Sequence, residues 1–312
     1  MNRCPITLEF CGVDKYSKQG LALLSPKLIS LQDFPYTAKE QLEQAAEHAS
    51  RLSIQGVQPK LSVKLNLSKK SFEIVDEFGT FIMKPPHVIY PELVENEDIS
   101  MRLAKTVGIE TPLHGMVYAK DQSLTYFIRR FDRPKRHHKI AVEDFAQLSG
   151  ASRDTKYESS MEKVADLLEK FCTFPLIEKQ KLFRLTLFSY LIGNEDMHLK
   201  NFSLIRRNGK IELSPAYDLL NSSIVLNTQE ELALPIAGKR SNLSRDNLVN
   251  YFGQERLGLS PKIIQLELDN FKRLLPTWGT WLEKSFLSKP MQTKYQDLVD
   301  KRAKTLIDFD SV

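Results

Sequence analysis

The stretch "YLIGNEDMHLKNFSL", residues 190 to 204, closes an apolar run at Ile192 and then crowds Asn194, Glu195, Asp196, His198, Lys200 and Asn201 into one short loop. Loops rich in ionisable groups are ordinarily solvated connectors, and Glu195 reads as one such solvated residue. Two features set this loop apart. Asp196 and Asn201 stand in a D-x-x-x-x-N relation, and "SPAYDLL" places Tyr217 and Asp218 downstream, after a return strand in "FSLIRR" and a hairpin in "NGKIELSP". The chain around the loop must therefore deliver a buried helix, a tight polar turn and a short sheet in quick succession.

Phosphoryl transfer from a nucleotide asks little covalent chemistry of a protein. It needs a carboxylate to orient and deprotonate the attacking hydroxyl, and oxygen ligands to fix Mg²⁺ on the phosphates. In protein kinases a loop Asp and Asn stand in this relation, with a second Asp downstream. Asp196 would be the base, and Asn201 and Asp218 the metal ligands. D-x-x-x-x-N alone recurs by chance, so the weight lies on Asp218. No second His or Cys lies at zinc-site spacing from His198, which favours a structural or phosphate-contacting role.

A kinase also needs a cation for the phosphates and a backbone cradle. In "TFIMKPP" Lys84 ends a strand, and Glu92, Glu95 and Glu97 follow as candidate partners, with Glu97 the preferred one. "SIQGVQPKLS", residues 53 to 62, is the candidate cradle. Its single glycine, Gly56, fails the G-x-G-x-x-G pattern, yet amides around Gly56 and the Lys60 cation suit an anion-binding nest.

At 312 residues the chain can bury a sizeable core. Its net charge of +5 is a small excess spread among acidic residues, so nucleic-acid binding is not expected. The densest basic cluster, "RRFDRPKRHHK" at 129 to 139, suits a phosphate-facing patch or a solvated linker. Three cysteines give no disulfide framework, and neither a signal peptide nor a membrane span is read, so a cytoplasmic protein is expected.

Alternating "KLSVKLNL", the pair of strands in "SFEIVDEFGTFIMK" and "SLTYFIRRF" predict a small sheet, with one helix over "PELVENEDISMRLAKTVG" that carries Ile99, Leu103 and Val107 on one face and stops at Gly108. "VEDFAQLSG", "SMEKVADLLEKFC", "LIEKQKLFRLTLFSYLIG" and "SPKIIQLELDNFKRLL" read as helices, the last capped by Ser260 with Pro261 as first helical residue. The fold class is α+β, a β-rich lobe over 1–131 followed by a larger helical lobe over 132–312, with a ligand expected between them.

Taken together, "SIQGVQPKLS", "FIMKPP", "ENEDISMRLAKTVGIETP", "FIRRFDR", "VEDFAQLSG", "KYES", "LIGNEDMHLKNFSL", "SPAYDLL" and "LALPIAGKRSNL" resemble, in this order, the HipA-like serine/threonine kinases of bacterial toxin–antitoxin systems. The early position of Ser53 and the opening "CPITLEFCGVDKYSKQGLALLSPK" look like the short HipT branch, in which a separate small protein, HipS, accompanies the DNA-binding antitoxin HipB.

The resemblance implies a two-lobed protein-kinase-like fold and an ATP- and Mg²⁺-dependent kinase toxin with Asp196 as catalytic base. Asn201 and Asp218 would hold Mg²⁺. ATP would meet Gln55, Gly56, Val57, Gln58, Pro59 and Lys60 in the phosphate loop, Lys84, the hinge Arg129, Arg130 and Phe131, and His198, Lys200, Asn201, Tyr217 and Asp218. Ser53 would be the autophosphorylation site; Gln55 stands where some relatives carry a second hydroxyl. The implied substrate is an aminoacyl-tRNA synthetase, tryptophanyl first and glutamyl second. The alternatives are a small-molecule or lipid kinase, since phosphoinositide kinases use a similar D-x-H-x-x-N loop, or a nucleotide-holding pseudokinase scaffold.

Overall fold

The computed structural model describes residues 2–48, 58–135, 137–150, 155–226 and 230–307. The chain divides into two compact units, Met1–Asp98 with Pro112–Lys139 and Lys284–Leu287, and Ile99–Thr111 with Ile140–Glu283 and Ser288–Val312. The division falls inside the helix Leu93–Thr106, so one continuous element supplies residues to both.

The first unit is built on a five-stranded antiparallel sheet, in the order Ser71–Ile74, Leu61–Asn66, Phe81–Lys84, Leu124–Arg129, His114–Tyr118. Side chains on a strand alternate between faces. Leu61, Val63, Phe81, Met83 and Phe127 accordingly meet on one face and pack with Phe72. The amino-terminal segment completes this core through Cys4, Ile6, Leu21, Leu24 and Phe34. Its helices Lys18–Leu24 and Ala38–His48 add to the single helix expected before residue 131. The first is brief, seven residues held by the Ser17 hydroxyl, which accepts from the Gly20 N–H at 3.0 Å, rather than by a long apolar stripe.

On Leu93–Thr106, Ile99 and Leu103 are fully buried, as is Val107 just beyond it, and Gly108 follows at φ +82°. A left-handed residue just past a helix suits glycine, which has no Cβ to clash.

The second unit holds the long helices Met161–Phe171, Pro175–Ile192, Pro261–Lys284 and Lys289–Leu306. A three-stranded antiparallel sheet, in the order Lys210–Leu213, Ser203–Arg207, Val142–Asp144, lies within it. "VEDFAQLSG", expected to be helical throughout, instead opens as the strand Val142–Asp144. Asp144 then ends the strand by capping Phe145–Ser149: its carboxylate accepts from the Gln147 N–H at 2.8 Å while the Gln147 side chain returns to the Asp144 N–H. Among the described residues no helix is long and apolar enough to cross a membrane.

Phe127 is fully buried between Phe72 and Phe81, ring centroids 5.8 and 6.0 Å away. Phe127→Ala is expected to cost about 3–5 kcal/mol of stability by removing core contacts and leaving a cavity, measured by urea denaturation.

Candidate active site

The first unit carries a buried ion pair. Strand Phe81–Lys84 places Lys84 opposite Tyr126 of its neighbour, and the Lys84 ammonium reaches both carboxylate oxygens of Glu97 at 2.6 and 2.7 Å. Both side chains are almost wholly buried, 2% and 1% exposed. Such a pair is costly to bury and more costly to break, because each charge alone would be stranded. Lys84 is thus a fixed interior cation rather than the surface lysine usual at a strand end.

Of the neighbouring carboxylates, Glu95 is pushed up to about 7, chiefly by burial and further by Glu92 and Asp98. Its Oε2 is buried without a hydrogen-bond partner among the described residues.

Gln58, Pro59 and Lys60 are half-buried where the chain enters strand Leu61–Asn66. Ser53, Gln55, Gly56 and Val57 lie outside the described residues. At the far end of strand Leu124–Arg129, the Arg129 and Arg130 amides donate to the Leu113 and Thr80 carbonyls at 2.7 and 2.9 Å. The Arg129 guanidinium donates to the Leu24 carbonyl at 2.8 Å, and that of Arg130 pairs with Asp132 through two bonds of 2.9 and 2.7 Å. Phe131 follows directly and is half-buried.

The second unit carries the polar loop. Helix Pro175–Ile192 is buried continuously from Leu185 to its end, and Gly193 terminates it at φ +74°. A Cβ at Gly193 would lie 2.5 Å from Leu298 Cδ2 and 2.6 Å from Ser223 Oγ, so the turn needs glycine for space as well as for conformation.

The loop beyond is held through its own backbone. The Asp196 carbonyl accepts from the His198 N–H and from the Asn201 side-chain amide, both at 2.8 Å. Asn194 is fully buried; its N–H donates to the Ser189 carbonyl at 2.9 Å and its Oδ1 accepts from the Asp196 N–H at 3.4 Å. Glu195, expected to be solvated, is instead 7% exposed. Its N–H donates to Ser222 Oγ at 2.7 Å, and its carboxylate accepts from the Ser223 hydroxyl.

With its backbone so fixed, Asp196 presents a side chain that is 45% exposed. The Tyr157 hydroxyl donates to Asp196 Oδ1, and that bond, after burial, pushes the phenol well above its ordinary value. His198 Nε2 lies 4.0 Å from the same oxygen and 2.6 Å from the Lys156 ammonium, and its ring meets that of Tyr157 edge-on at 5.0 Å. Burial holds the imidazole below its ordinary value against the opposing pull of Asp196. Tyr217, raised by burial, donates to the Lys200 carbonyl at 2.9 Å. Asp218 beside it takes the left-handed conformation, φ +56°.

The donor chemistry here fits a hard divalent cation. Asn201 spends its amide nitrogen on Asp196, which leaves an amide oxygen, and Asp218 adds a carboxylate; both are ligand types such ions take. Among the described residues no group of three His, Cys, Asp or Glu is gathered that could hold a metal ion.

Residues 52–278 match the family described as HipA-like C-terminal domain. The chain belongs to the HipA-like family. A Haemophilus influenzae protein named provisionally as a kinase is 31% identical over 242 residues, which cover 72% of this chain and 69% of the relative. The serine/threonine-protein kinase toxin HipA of Shewanella oneidensis is 32% identical over 206 residues, 60% of this chain and 47% of that one.

Among solved structures, Shewanella oneidensis HipA, determined with HipB and its operator DNA, superposes with a TM-score of 0.68 at 24% identity, over 89% of this chain and 73% of that one. The Helicobacter pylori proinflammatory kinase CtkA gives 0.59 at 15% identity, over 83% and 92%. The fold is therefore the kinase-like α+β type, and the HipA-like family to which the chain belongs is one of protein serine/threonine kinases, enzymes that use ATP with a divalent metal.

Sequence reasoning did not find Lys156, Tyr157, Ser222, Ser223 or Arg302. "KYES" stood out as a motif without a role, and nothing local marks Arg302.

Two outcomes follow. Lys84→Met and Glu97→Gln should each lower stability by about 3–5 kcal/mol by removing one member of a buried pair, read by chemical denaturation. The Glu95 carboxyl binds its proton more tightly folded than unfolded, so its contribution is greatest below its ordinary 4.5 and is lost as pH rises to about 7. Glu95→Gln should flatten the fall in melting temperature over that window.

Proposed function

We propose that this chain is the ATP- and Mg²⁺-dependent serine/threonine kinase toxin of a type II toxin–antitoxin system, acting on a serine of an aminoacyl-tRNA synthetase so that translation stops. The observation that carries this is the state of Asp196: a half-exposed carboxylate on a rigid backbone, spaced from Asn201 as a kinase base is, and already accepting a hydroxyl proton donor in Tyr157.

In the proposed mechanism the substrate serine takes the place of that phenol, and Asp196 orients its hydroxyl and accepts its proton. Asn201 and Asp218 would hold Mg²⁺, which when bound would screen the phosphate charge. Lys84, fixed by Glu97, contacts the phosphates, with the cradle from Gln55 to Lys60. His198, Lys200 and Tyr217 line the nucleotide, and the strand end at Arg129, Arg130 and Phe131 meets adenine.

Tryptophanyl-tRNA synthetase is the proposed substrate, with the glutamyl enzyme second. HipS-like and HipB-like proteins are the proposed partners of a HipT-type toxin in the cytoplasm. Support comes from the resemblance of the opening segment to that branch and from relatives such as the Shewanella toxin, solved with HipB. Ser53 is the proposed autophosphorylation site: a dianion there would repel the γ-phosphate and compete for the same cations.

Purified protein incubated with labelled ATP should label tryptophanyl-tRNA synthetase in preference to the glutamyl enzyme. Asp196→Asn should cut transfer by about a hundredfold or more, as loss of a general base does, and by mass spectrometry should lack phosphate on Ser53. Undiminished transfer in Asp196→Asn would remove the role given to Asp196.

A further inference from the structure

The family match ends at residue 278, yet a side chain from the last long helix is built into the foundation of the polar loop. Arg302, 6% exposed, sends Nη1 to the Tyr190 carbonyl at 2.6 Å, in the final turn of helix Pro175–Ile192. Its Nη2 donates to Ser223 Oγ at 3.3 Å and lies 3.8 Å from Glu195 Oε1. The guanidinium also stands over the Tyr190 ring, 5.3 Å from its centroid.

Two of these contacts bear on Glu195, the residue before Asp196. The Ser223 hydroxyl passes the cation on by donating to Glu195 Oε1, and the Ser223 N–H donates to the Gly193 carbonyl at 3.1 Å. Ser222 Oγ accepts from the Glu195 N–H and reaches the Gly193 carbonyl at 3.2 Å. A cation at a helix carboxy terminus meets unpaired carbonyls and the negative end of the dipole. A buried carboxylate needs a partner. Arg302 meets both needs with one planar group, which the single ammonium of a lysine cannot do.

We propose that Arg302 is a positioning residue for phosphoryl transfer: by clamping the end of helix Pro175–Ile192 and the Glu195 carboxylate together, it sets the direction in which Asp196 presents its base. The Lys289–Leu306 helix is then part of the catalytic apparatus although it carries no residue that touches substrate. The inference rests on the kinase function proposed above, because it takes Asp196 as the base.

The test separates placement from stability. Arg302→Met should lower kcat for synthetase phosphorylation about tenfold or more, as small misplacements of reacting groups do, while KM for ATP changes less than about threefold. Arg302→Lys should fall between it and wild type. Replacing both members of a buried pair by apolar groups often restores stability, so the double variant Arg302→Met with Glu195→Met should regain melting temperature but not kcat. Recovery of kcat in the double variant, or an unchanged kcat in Arg302→Met, overturns the proposal.

Amide exchange across residues 194–201, read on the same samples, should quicken in both variants. Wild-type protein that transfers no phosphate refutes the kinase function, and exchange still judges the clamp: unchanged rates overturn it.

Discussion

A helix buried to its last residue has no water to satisfy its final carbonyls, and that constraint organises the site. Helix Pro175–Ile192 ends inside the protein, at a left-handed glycine with no room for a side chain. The carbonyls of its last turn must be met by protein groups: the Ser189 carbonyl by the Asn194 N–H, that of Tyr190 by Arg302, and that of Gly193 by Ser222 and Ser223. Each residue enlisted for this purpose also holds either the Asp196 N–H, as Asn194 does, or Glu195 just before it, as Arg302, Ser222 and Ser223 do. Satisfying the helix end and fixing the loop that carries Asp196 are one structural act.

The same economy governs the first unit. Lys84 and Glu97 are buried together, so neither can leave without stranding the other, and the strand and helix that carry them are joined at a fixed separation. Polar burial at the two places works in different ways. The Lys84–Glu97 pair is direct and bidentate, whereas Glu195 reaches its cation mainly through the Ser223 hydroxyl.

The parts of the fold that the sequence discloses are those with long periodic signals. Strands around Val63, Ile82 and Ile128 and helices around Leu103, Leu187 and Leu268 could be read because alternation or helical spacing repeats over many residues. The seven-residue helix Lys18–Leu24 and the strand Val142–Asp144 could not, since a hydroxyl cap or a three-residue pairing leaves no period to detect. Asp196 and Asn201, which the structure joins through the Asp196 carbonyl, stand close enough in the chain for their relation to be legible. Tyr157 and Arg302 were not, because contacts across 39 and, between Arg302 and Tyr190, 112 residues leave no mark in either neighbourhood. Glu195 was misread for a related reason: a carboxylate in a polar loop looks solvated until its distant partner is seen.

The hydroxyl of Tyr157 has one further consequence. Oδ1 of Asp196 is already engaged by a phenol whose proton is held more firmly than usual, so the oxygen is not idle when no protein substrate is present. In the mechanism proposed above, an arriving serine trades places with this internal competitor or addresses the other carboxylate oxygen. There, discrimination between a serine hydroxyl and a stray water begins as a contest for an oxygen that Tyr157 already engages.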